Sequence, residues 1–77
     1  MNNEDRDWLL NTFPNHRGRT IRGEVLAAYY KAEMLLNGWD KEKKRSCGCQ
    51  LRSLAEGVDK LYTKWLHNNE KTLPNGE

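Results

Sequence analysis

The stretch "KKRSCGCQLR", residues 43–52, sets two cysteines one glycine apart among four basic side chains, Lys43, Lys44, Arg45 and Arg52. Three chemistries use such residues: metal ligation, thiol redox and anion binding. A structural zinc site takes four ligands, commonly with two or more residues between paired cysteines. The candidates are Cys47, Cys49, His16 and His67. A helix that begins at the cysteines carries His67 about 27 Å away. The expectation is therefore no metal within one chain, with a site shared between two chains as the remaining route. A disulfide across a single glycine is strained. A helix N-terminus beside cations lowers a thiol pKa, but no histidine or carboxylate stands near in sequence to complete a nucleophile and base. Cys49 reads as a small apolar residue, and Ser46 reads as the N-cap of the helix that follows.

Anion binding is the chemistry that survives. Arg17, Arg19 and Arg22 precede one predicted helix; Lys43, Lys44 and Arg45 precede another, with Arg52 in its first turns. Cations at a helix N-terminus oppose the helix dipole, so intrahelical stability does not explain them. Together with free backbone N–H groups they suit a phosphate or a carboxylate. A solvated basic loop is the plainer reading of each cluster. Trp39, between a helix stop and a charge run, and the adjacent Tyr29 and Tyr30 are candidate anchors for a protein partner, because aromatic residues are enriched at binding hot spots. There is no phosphate-cradling glycine loop and no Ser/His/Asp arrangement, and Glu56 and Asp59 are spaced like ordinary surface acids. The expectation is a protein that is not an enzyme and holds no cofactor.

Helices must position these groups. Asn2 or Asn3 can cap a first helix over about 3–13, with Glu4, Asp5 and Asp7 in the turn where the dipole favours anions. Pro14 disfavours helical backbone at Phe13 and is expected to end it. A second helix over about 20–37, with Thr20 as N-cap, carries Ile21, Val25, Ala28, Ala32 and Leu35 as a seam and Leu26, Tyr30 and Met34 as a second stripe. Asn37-Gly38 supplies its stop. A third helix over about 47–67 carries the seam Leu51, Leu54, Val58, Leu61 and Trp65. Ala55, Tyr62 and Leu66 widen that seam. Gly57 costs this helix up to about 1 kcal/mol relative to alanine, which close approach of a neighbour would explain. The fold class is all-α: a three-helix mini-bundle built on an antiparallel helical hairpin, with the first helix across the Leu26/Tyr30/Met34 stripe. In that hairpin the two basic clusters lie at opposite ends, about 25 Å apart. A helix pair that folds only as a homodimer is the competing architecture. Residues 1–68 form one domain and 69–77 a flexible tail.

Length and composition bound the rest. The chain has 77 residues, 36% hydrophobic and 31% charged. A domain this small buries about 60% of its unfolded surface, and its core often supplies no more than about 3–5 kcal/mol. The longest apolar run, residues 25–30, is far short of a membrane span, and the acidic "MNNEDRDW" is unlike a signal peptide. A cytoplasmic protein with reduced cysteines is expected. Net charge is +2, distributed as −2 over residues 1–15, +5 over 16–52 and −1 over 53–77. The stretch "CGCQLRSLAEGVDKLYTKWL" resembles small helical accessory proteins of tailed phages. That resemblance implies an accessory role in the host cytoplasm, modulating an enzyme or filling a joint in a particle, and assigns no site residues. The leading expectation is a binding module whose basic loops engage nucleic acid or an acidic protein surface. The alternative is a protein-binding or assembly subunit.

Overall fold

The computed structural model describes residues 2–45 and 48–72. The fold is all-α as expected: three helical segments, α2 and α3 packed together, and no strand among the described residues. The first segment comprises α1 (Asn3–Asp7), a π-helical turn (Trp8–Thr12) and a 3₁₀ turn (Phe13–Asn15). Asn2 caps α1, its side-chain oxygen accepting from the Asp5 N–H at 2.7 Å. Pro14 does not expel Phe13 from helical backbone: Phe13 has φ −56° and ψ −41°. The chain instead loosens by one residue ahead of the proline, and the Phe13 N–H donates to the Trp8 carbonyl, five residues back. In that register the Leu9 carbonyl would accept from residue 14, which has no N–H. The Tyr62 hydroxyl of α3 donates to the Leu9 oxygen instead, at 2.6 Å. A contact spanning 53 positions supplies the donor that Pro14 lacks.

Helix α2 (Gly23–Asn37) starts later than Thr20 suggests. The Thr20 carbonyl accepts from the Arg22 N–H, a tight turn that holds Thr20 outside the helix. Arg22 occupies the N-cap position without a side-chain cap bond, and Gly23 follows at φ +57°, a conformation that favours glycine. The other end matches the expected stop. Gly38 is left-handed at φ +72°; its N–H donates to the Leu35 carbonyl and the Trp39 N–H to that of Met34, the paired bonds that close a helix around glycine.

Residues 42–45 return along α2 before α3 (Gly48–Thr72) begins. Glu42 borders one depression with Ala27 and Lys31, and Lys44 and Arg45 border another with Gly23, Leu26 and Tyr30. Leu36, near the end of α2, lines a depression with Leu61, Lys64, Trp65 and Asn68 from the later half of α3. α2 and α3 pack together as the expected hairpin, with Leu36 of α2 close to Leu61 and Trp65 of α3. Helix α3 reaches Thr72, five residues past the expected end.

The core consists of Leu9, Phe13, Ala28, Tyr29, Tyr30, Ala32, Leu54, Val58 and Tyr62. On α3 the buried line is Leu54, Val58 and Tyr62, at i, i+4 and i+8; Leu61 lies outside this cluster. Phe13 joins the three segments, edge-on to Tyr29 at 5.2 Å and to Tyr62 at 5.0 Å between ring centroids. The first segment thus packs on Tyr29 and Tyr62 and not on the Leu26/Tyr30/Met34 stripe, whose Leu26 and Tyr30 face residues 44 and 45. Gly57 accommodates no close neighbour, since a Cβ there would meet nothing within 4 Å.

Two buried phenols tie the fold to pH. Burial pushes the Tyr29 hydroxyl above its ordinary value, helped by the Asp59 carboxylate and opposed by the Gly18 amide and Arg17. Burial pushes Tyr62 up as well, again opposed by Arg17. The folded state therefore holds both protons more tightly than the unfolded chain, where a tyrosine titrates near pH 10. Their contribution is complete below about pH 10 and is lost as pH rises through the folded values. Phenolate absorbance and helical circular dichroism, followed together in an alkaline titration, should change in one cooperative step. Smooth ionisation of Tyr29 and Tyr62 with helix content intact would contradict this.

Candidate nucleic-acid interface

The structure divides the predicted basic residues into those spent on the fold and those left at the surface. Arg17 is spent: its Nε donates to Asp59 Oδ1 at 3.0 Å, and its guanidinium lies 4.8 Å from the Tyr62 ring centroid. This fastens the loop before α2 to α3. Arg45 is spent more completely. Its Nη1 and Nη2 donate to the two Glu33 carboxylate oxygens, each at 2.8 Å. Its backbone N–H donates to the Tyr30 hydroxyl at 2.8 Å, and that hydroxyl donates to the Arg45 carbonyl at 3.0 Å. The bond to Glu33 holds the Arg45 pKa above its ordinary value against the effect of burial. The planar fork of arginine matches a carboxylate in this bidentate way, which the compact ammonium of lysine cannot.

Arg19, Arg22, Lys43 and Arg52 are exposed, and none has an ion-pair partner among the described residues. Lys44 keeps 72% of its side chain exposed. Its ammonium sits 5.4 Å from the Tyr30 ring centroid and 3.5 Å from Glu42, a surface pair of little energetic weight.

These cations are closer together than the sequence suggests. Because residues 42–45 run back along α2, Lys44 and Arg45 line one depression with Gly23, Leu26, Ala27 and Tyr30. The second basic cluster thus reaches the first turn of α2, where Arg22 stands, instead of lying about 25 Å away. Arg22 offers no side-chain cap there, and no acceptor for the Gly23 and Glu24 amides is found among the described residues. Unsatisfied amides at the positive end of a helix dipole, with cations beside them, form an electropositive surface.

The aromatic candidates separate in the same way. Tyr29 and Tyr30 are 1% and 4% exposed and cannot reach a partner; Tyr29 faces Phe13, and Tyr30 faces the returning chain at Arg45. Adjacent residues on one helix are both buried because two different elements cover them. Trp39 is 39% exposed, so of the three aromatic candidates it is the one a partner could reach.

Ser46 and Cys47 lie outside the described residues, as does the Cys49 side chain, so the capping, disulfide and metal expectations there have no structural counterpart. Helix α3 is continuous from Gly48 to Thr72, which keeps Cys49 and His67 about 27 Å apart. His16 borders a depression with Trp8, Glu24, Lys31 and Glu42. No group of three or more His, Cys, Asp or Glu side chains suited to a metal occurs among the described residues. Among those residues, too, no helix is long and apolar enough to cross a membrane.

Sequence reasoning did not single out Lys60 and Lys64. Both are exposed on α3, and their four-residue spacing on the side away from Leu54, Val58 and Tyr62 was the available signal. No protein-family model, no curated protein and no solved structure matches this chain.

Proposed function

We propose that the protein is a small non-enzymatic binding module that engages nucleic acid through the surface formed by Arg19, Arg22, Lys43 and Lys44. The observation that carries this reading is the convergence of Lys44 and the uncapped first turn of α2 on one depression. Phosphate oxygens accept from helix N-terminal amides and from Arg and Lys side chains, which position nucleic acid without reading its sequence. Arg17 and Arg45 play no part in contact, because Asp59 and Glu33 hold them. An accessory role, such as that of small phage proteins, is compatible with a module of this kind.

Salt titration tests the proposal. Each phosphate neutralised contributes about −0.9 to the slope of log affinity against log salt on duplex DNA. These four cations should contribute about −3 to −4 to the slope. The double change Arg22→Ala with Lys44→Ala should make that slope shallower by about 2. Failure to bind either DNA or RNA in low-salt buffer would sink the reading. It would favour the second one, a protein-binding or assembly subunit that docks through the exposed Trp39.

A further inference from the structure

Helix α3 bears a polar face that the fold does not use. Leu54, Val58 and Tyr62 bury the opposite side. Arg52, Ser53, Gly57, Lys60, Lys64 and His67 are all exposed. At 100° per residue they fall within an arc of about 140°, and from Arg52 to His67 the face runs about 22 Å. Three permanent cations stand on it against one exposed acid, Glu56, because Asp59 at its edge is held by Arg17.

Gly57 is the second observation. It sits inside a helix of 25 residues, where glycine is costly relative to alanine. Its φ is not positive, and a Cβ placed there would meet nothing within 4 Å, so neither backbone geometry nor packing requires it. What glycine does provide is a gap in the side-chain layer between Ser53 and Lys60, its neighbours one turn before and after on this face, where an external backbone can come close to the helix.

We propose that this face of α3 is the surface that enters nucleic acid, and that its occupant is the major groove of duplex DNA. The proposal rests on the nucleic-acid reading above and adds the element, the groove and the type of duplex. Charge complementarity selects a polyanion. The shape of a single exposed helix selects the B-form major groove, about 12 Å wide, which admits an α-helix. The A-form major groove of duplex RNA is too narrow for side chains to read.

The test uses the full chain with a short random-sequence DNA duplex and the RNA duplex of the same sequence. Gly57→Gln fills the gap without changing charge and uses a better helix former. It should raise the melting temperature by a few degrees and weaken DNA binding about tenfold or more. Opposite signs for stability and affinity are something a purely structural glycine would not produce. Lys60→Ala with Lys64→Ala should make the salt slope shallower by about 2. If DNA binding survives both changes but falls with Arg22→Ala and Lys44→Ala, the α3 assignment is overturned while the loop interface stands. Equal affinity for the RNA duplex overturns the groove assignment. Absence of binding to either duplex overturns this inference, and absence of binding to single strands as well overturns the reading beneath it.

Discussion

Leu54→Ala should destabilise the protein by about 2–5 kcal/mol, as truncations of buried leucines do, and Leu61→Ala should cost less than half as much. Leu54 is 2% exposed at the centre of the α3 core line, one turn before Val58. Leu61 is half-buried beside Leu36 and Trp65 and falls outside the core cluster. With a total margin often no more than about 3–5 kcal/mol in so small a domain, the first change should leave much of the chain unfolded at room temperature. Urea denaturation followed by circular dichroism measures both. Equal losses would show that the heptad seam 51/54/58/61/65, and not the 54/58/62 line, is the packed face of α3.

Arg45→Ala carries the second large effect. Glu33 is 8% exposed, and the two Arg45 bonds are its charge partners in the structure. Removing one member of a fully buried ion pair costs about 3–5 kcal/mol, because the other charge is stranded. The Arg45 and Glu33 side chains retain 20% and 10% exposure, so water relieves part of that cost and about 2–3 kcal/mol is expected. Arg45→Lys should recover only part of the loss, since an ammonium cannot make the bidentate contact. The paired change Glu33→Leu with Arg45→Met should restore most of it, because an apolar pair of similar volume substitutes well for a buried ion pair. That double variant should also bind DNA nearly as well as the parent. A stable Arg45→Ala protein that had lost DNA binding would mean that Arg45 leaves Glu33 to meet the ligand.

The helical architecture was legible because its signals are local. Asn2 before Glu4 and Asp5, Gly38 after Asn37, and apolar residues recurring every three or four positions along the third helix each act within a turn or two. What was not legible depends on contacts between distant segments. Nothing near Tyr30 in sequence announces that residue 45 will take both its donor and its acceptor, so an internal clamp read as a partner anchor. The same clamp draws residues 42–45 back along α2, so two basic clusters expected at opposite ends share one depression. Leu61 and Tyr62 both fit an apolar stripe on α3. Tyr62 is the one buried because Leu9 and Phe13 reach it from the other end of the chain. The rule that proline ends a helix holds for isolated helices and does not foresee a hydroxyl arriving from α3 to satisfy the freed carbonyl.

That hydroxyl has a consequence for the order of assembly. The Leu9 carbonyl in the Trp8–Thr12 turn gains its hydroxyl partner only after α3 has delivered Tyr62, so the first fifteen residues are expected to dock late in folding. On that expectation they close a structure that α2, the clamp at Arg45 and α3 have begun. Interactions made after the rate-limiting barrier alter escape from the native state and leave its formation nearly untouched. Tyr62→Phe, which removes one hydroxyl, should therefore speed unfolding while folding keeps its pace, and stopped-flow rates over a range of urea would show one limb of the chevron moving alone. The N-terminal segment in this view is a latch: it sets how long the molecule stays folded, and has little say in how quickly it gets there.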